Sequence, residues 1–160
     1  AAHHPDLVDR VMAVSAPLDS QAMSPRLRSS SPTELADWLL GNLPAMEAVR
    51  SEAPRADNQA ILTTLDNLLG IKLPELLAHF QIPCLFVQGQ NDPTLATPRQ
   101  EDLSLLPESA HHILFETSGH FPMLDESSKF NRLLVDFLSL NSGESPRQLQ
   151  LKEEWKRRVR

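Results

Sequence analysis

Three short apolar runs stand out along the chain: VMAVS at 11–15, CLFVQ at 84–88 and HILFE at 112–116. They are nearly continuous rather than alternating, which is the pattern of strands covered on both faces, so they predict a parallel sheet between helical layers. Each run is followed by turn chemistry, in SAPLDS, GQNDP and TSGH.

Helical spacing fills the intervals. From Ser127 to Leu140, Phe130, Leu133, Leu134, Phe137 and Leu138 fall at the i, i+3, i+4, i+7, i+8 positions of one buried face. A shorter helix is predicted over Pro98–Leu106 as the crossover between the second and third strands. Strand, helix, strand, helix is the signature of an α/β fold. Residues 17–80 behave differently. Proline-broken helical pieces are predicted at Thr33–Leu40, Pro44–Ser51, Asn58–Leu69 and Pro74–Phe80, more chain than a plain crossover needs. An inserted helical cap over the carboxyl edge of the sheet accounts for them. The expected organisation is therefore a helix end and core strand at 1–17, a helical cap at 18–80, a core at 81–140 and a basic tail at 141–160. In that tail, from Glu144 onward, six basic residues face three acidic ones; a solvated terminal helix lightly packing Leu149, Leu151 and Trp155 is expected, with contact to an acidic partner or membrane surface as the alternative.

Composition narrows the class. A chain of 160 residues with 41% hydrophobic content can bury one core, and its net charge of -6 lacks the basic face a nucleic-acid partner requires. No apolar run approaches the roughly 18 residues of a membrane helix, and the N-terminus lacks the order of a signal peptide. A cytoplasmic protein with no membrane partner is expected. The single cysteine, Cys84, excludes an internal disulfide and is expected in the core. The five glycines, at 41, 70, 89, 119 and 143, cannot build GxGxxG, a Walker A loop or GxSxG. The pairs His3–His4 and His111–His112 diverge in direction and lack a third ligand, so no metal or cofactor is expected.

The chemistry gathers at two strand ends. Asp92 lies four residues past CLFVQ and His120 four residues past HILFE, and ligands of open parallel sheets sit beyond these carboxyl ends. A carboxylate accepting the imidazole Nδ1–H would fix the tautomer and leave Nε2 to take a proton. Gly119 is expected to allow an unusual backbone turn before the histidine. A turn role for Asp92 and a structural role for His120 are the alternatives. Asp19 is a second acid, with loop capping preferred. Ser15 lacks flanking glycines and Ser118 is two residues from His120, so neither is assigned as a nucleophile. Phe121 lines the pocket or simply packs, Trp38 packs or faces the cap's substrate side, and Asp125 and Lys129 are read as surface or cap groups.

The segments IPCLFVQGQNDPTLATP and ILFETSGHFPMLDESSKFNRLLVDFL together resemble the acid turn and the glycine–histidine turn of the α/β-hydrolases. AAHHPDLVDRVMAVSAP is similar to the end of that family's post-nucleophile helix and its next strand, so the resemblance covers about residues 1–140, most specifically after Ile82. It implies a partial α/β-hydrolase fold, with Asp92 orienting His120 as general base. It also implies a nucleophile on an elbow before the helix that ends near Pro5, and that elbow is absent. On this reading the nucleophile and its neighbouring strands lie upstream, and the 160 residues alone are inactive. The implied activity is hydrolysis of a small ester or related acyl substrate. The alternatives are epoxide or haloalkane hydrolysis, if the nucleophile is an aspartate, and a non-catalytic hydrolase-fold binding module. A few-stranded sheet also leaves an apolar edge, so self-association or pairing with an N-terminal half is expected.

Overall fold

A computed structural model describes residues 1, 4–41, 46–69, 71, 73–78, 80–141 and 144–149. The three apolar runs form β1 (Val11–Val14), β2 (Cys84–Gly89) and β3 (Ala110–Phe115), all parallel, in the order β1-β2-β3. The register places Val11 beside Cys84 and Cys84 beside Ala110. The third strand begins two residues before the HILFE run, because Ala110 is buried and His111 and His112 are half-buried within the ladder.

All six residues of β2 are buried, and its side chains alternate between two clusters. Leu85 and Val87 join Ile113 and Phe115 of β3 and Phe130, Leu133 and Phe137. Those last three project from one face of the helix α8 (Ser127–Leu138). Cys84 and Phe86 face the other layer, with Leu18, Leu77, Leu106 and Ala110. Leu138 was expected on the buried face of α8 but is exposed. At 100° per residue it has rotated about 80° away from Phe130 and farther from Leu133 and Phe137. Arg10, just before β1, donates to the carbonyls of Phe137, Leu138 and Leu140, satisfying acceptors at the C-terminal end of α8.

The segment before β2 is helical as the pattern predicts: α1 (Arg26–Ser29), α2 (Pro32–Leu40), α3 (Glu47–Glu52), α4 (Asn58–Leu68) and α5 (Leu73–Leu77). The expected start of the second piece at Pro44 lies outside the described residues. Trp38 is half-buried, with the Arg26 guanidinium 4.4 Å above its ring, a cation–π contact. The crossover from β2 to β3 contains α6 (Gln100–Ser104), and α7 (Pro122–Asp125) leads into α8. Residues 144–149 of the tail pack against the start of β3. Pro146 is buried, and Arg147 donates to the carbonyls of Leu106, Pro107 and Ala110. The terminal helix expected around Leu151 and Trp155 lies outside the described residues. Among the described residues no helix is long and apolar enough to cross a membrane.

Candidate active site

The turns after β2 and β3 are stitched together main chain to main chain. Gln90 N–H donates to the Phe115 carbonyl, Asn91 N–H to that of Ser118, and the Asn91 side-chain amide to that of Glu116. The two loops approach so closely that a Cβ on Gly89 would lie 2.0 Å from the Gly119 carbonyl oxygen and 2.4 Å from that of Ser118. Gly89 is therefore the glycine this site requires. Gly119 was expected to supply an unusual turn, but it is not in the left-handed region, and a Cβ there would make ordinary contact with Asp125.

This close approach brings Asp92 and His120 together. His120 Nδ1 lies 2.9 Å from Asp92 Oδ2, with the Asp92 side chain wholly buried and that of His120 22% exposed. A second contact comes from Thr94, which the sequence reading missed. Its hydroxyl is 2.7 Å from Asp92 Oδ1 and 3.0 Å from His120 Nδ1, and its amide donates to Asp92 Oδ1 at 2.8 Å. An ionised carboxylate only accepts, so Nδ1 carries the proton toward Oδ2 and the threonine hydroxyl donates to Oδ1. Nε2 is then the basic nitrogen, and it has no hydrogen-bond partner among the described residues. Burial pushes the Asp92 carboxyl up. The His120 ring, the Thr94 hydroxyl and amide, and attraction to His120 outweigh burial and hold its pKa below the ordinary value.

The histidine loop is braced from three sides. Ser15 follows β1 with φ at +50°, an uncommon conformation for a side-chain-bearing residue, and its hydroxyl donates to the His120 carbonyl at 2.6 Å. Ser118 is fully buried and donates to Glu126 Oε2 at 2.6 Å. Burial raises the Glu126 pKa, but hydrogen bonds from Ser118, Lys129 and Thr117 leave it lowered. Asp125 accepts the Gly119 amide at 2.8 Å, and Lys129 pairs with Glu126 while lying over the Phe115 ring. Asp125 and Lys129 thus hold the loop rather than merely decorating the surface. The Phe121 ring packs edge-on against His120, with centroids 4.8 Å apart. The two serines flanking the site both use their hydroxyls structurally.

The remaining candidates lie elsewhere. The Asp19 carboxylate caps the turn Ser20–Ala22. Cys84 is buried, and burial pushes its thiol up to about 11, which makes it unreactive. His111 and His112 lie on β3, where burial lowers both pKa values. Arg147 adds to the shift at His111, and His111 adds to that at His112, which falls to about 4. His3 lies outside the described residues, among which no group of three or more His, Cys, Asp or Glu side chains could hold a metal. A cavity of about 250 Å³ lies between residues 17–22 and the acid loop, lined by Leu18, Ala22, Leu95 and Pro98 among others, but not by His120.

The three-stranded parallel sheet between helical layers matches part of the α/β-hydrolase fold. An enol-lactonase from Burkholderia xenovorans LB400 superposes with a TM-score of 0.63 at 22% identity, over 88% of this chain and 60% of that one. A pimeloyl-[acyl-carrier protein] methyl ester esterase from Vibrio cholerae is 27% identical over 84 residues, 52% of this chain and 33% of the relative. A 2-hydroxy-6-oxononadienedioate/2-hydroxy-6-oxononatrienedioate hydrolase from Pseudomonas putida is 40% identical over 65 residues, 39% and 22% of the respective chains. The matches thus span a third or less of the length of these curated relatives, one named as an esterase and the other as a hydrolase. No protein-family model matches the chain.

Proposed function

We propose that the chain supplies the acid and base of a hydrolase acting on a small-molecule ester or related acyl compound. In this reading Asp92 orients His120, and Nε2 activates first a nucleophile and then water. The observation that carries it is the Nδ1–Oδ2 contact of 2.9 Å, between a buried carboxylate and a partly exposed ring. The hydroxyls of Ser15 and Ser118 are committed to a carbonyl and a carboxylate, which supports a nucleophile supplied from outside these 160 residues. Residues 18–80 act as the cap. Their first turn is anchored on the acid loop, where Met23 bridges Leu95 and Ser24 N–H donates to the Thr94 carbonyl. In this reading a further strand, supplied with the nucleophile, pairs with the edge of β1, which among the described residues bonds only β2.

The test is hydrolysis of a short-chain acyl ester by the longer protein that supplies the nucleophile. Asp92→Asn and His120→Ala are each expected to lower kcat by about 10³-fold or more. Unchanged turnover in either variant overturns the acid–base assignment. A fluorophosphonate adduct on the folded 160-residue chain, lost in His120→Ala, would instead put the nucleophile inside it.

A further inference from the structure

Among the described residues, Thr94 is the one polar side chain that hydrogen-bonds with both members of the pair. Its hydroxyl lies within hydrogen-bond distance of Asp92 Oδ1 and His120 Nδ1, and the residue is 1% exposed. With the carboxylate ionised, only one arrangement of hydrogens satisfies all three short contacts. The threonine proton goes to Oδ1, the Nδ1 proton goes to Oδ2, and a lone pair of the threonine oxygen faces that same Nδ1 proton. The opposite tautomer would leave the Nδ1 lone pair facing the carboxylate, a repulsive contact.

We propose that Thr94 is a positioning residue that locks His120 in the Nδ1–H tautomer, through a three-centre hydrogen bond shared with Asp92. It does not meet substrate. It keeps the ring from turning its basic nitrogen inward, so that Nε2 faces the reacting group. The proposal deepens the acid–base reading above and rests on it. The lowered pKa of Asp92 agrees with a hydroxyl donating to its ionised form. The hydroxyl is separable from the fold because the bond from the Thr94 amide to Asp92 Oδ1 belongs to the main chain and survives any side-chain change except proline.

The experiment is nitrogen-15 NMR of the full 160-residue chain labelled at histidine, which reads the tautomer ratio of neutral His120 without requiring turnover. Thr94→Val keeps the shape and removes the hydroxyl. It is expected to lower the Nδ1–H to Nε2–H ratio about fivefold, equal to about 1 kcal/mol for one lost hydrogen bond. Thr94→Ser is expected to restore the wild-type ratio. If the valine variant does not fold, Thr94→Ala makes the same deletion without filling the space. An unchanged ratio in the folded valine or alanine variant, or a serine variant that behaves like valine, overturns the proposal. Asp92→Asn separates the two readings. If it shifts the ratio while Thr94→Val does not, the acid–base pair stands and the Thr94 role falls. If it leaves the ratio unchanged, the pairing itself is wrong.

Discussion

The sheet with its two loops and the helical segment ahead of it are built by different means. In the sheet, β2 is wholly buried, and its neighbours come from β1, β3 and α8, many residues away in sequence. Within 26–68, the only buried hydrophobic side chains among the described residues are Leu35 and Leu40, while α1, α3 and α4 bury none. Those helices depend on local devices instead. Ser31 and Glu34 form a reciprocal cap, Asp57 caps α4 through two amides, and the ion pairs Arg50–Glu47 and Arg55–Glu52 lie at the surface, where such pairs contribute little. Distant packing gives the acid and histidine a fixed separation. Local capping gives helices that are expected to open at lower free energy than the sheet.

Gly89→Ala should break the comparison most severely. The added Cβ meets backbone oxygens that cannot swing away, so the loss is expected to exceed the ~1–3 kcal/mol of ordinary overpacking and reach about 4 kcal/mol or more. Denaturant melts give the magnitude, and the His120 ring signal reports whether the two loops have parted. A loss below about 1 kcal/mol would mean that the approach of the loops is not rigid.

Acid should act next, and through the sheet. His112 is held to about 4 in the folded protein against 6.5 when free, so the unfolded chain binds more protons between those values. Stability contributed by the neutral ring is complete above pH 6.5 and is lost as the pH falls toward 4, by an amount on the order of 3 kcal/mol. Asp92 adds a second loss at lower pH. Its ionised form is favoured in the fold, so that contribution is present above 3.8 and disappears as the pH drops through its lowered value. Denaturation midpoints measured from pH 7.5 to 3 should show both phases, and His112→Gln should flatten the upper one. If the slope survives in that variant, His112 is not its source.

The smallest effect sharpens the contrast from the other side. Ser31→Ala removes the cap of α2 and should cost about 1 kcal/mol. Hydrogen exchange should show the loss in α2 amides, with β2 and β3 protected as before. Equal loosening of the strands would mean that the two regions open as one unit.

What could be read along the chain was what neighbouring residues decide. Apolar runs bounded by turn residues marked three strands to within two residues, the 3.6-residue period marked the face of α8 apart from Leu138, and the same turns exposed Asp92 and His120. Thr94 left a faint local sign, a hydroxyl two residues after an acid, which is the spacing of a side chain bonding its own turn. Its contact with His120 left none, because it depends on β2 and β3 lying side by side. The same holds for Gly89, whose neighbours are carbonyls about 30 residues away, for the tie from Ser15 to the His120 carbonyl, and for Arg10 closing a helix that ends well over 100 residues later. Sequence alone determined the elements and the kinds of chemical group at their ends, because periodicity and turn preference act over a few residues. Only the tertiary structure decided which groups meet and which glycine is indispensable, because those contacts exist once the strands have paired and the two loops have closed on one another.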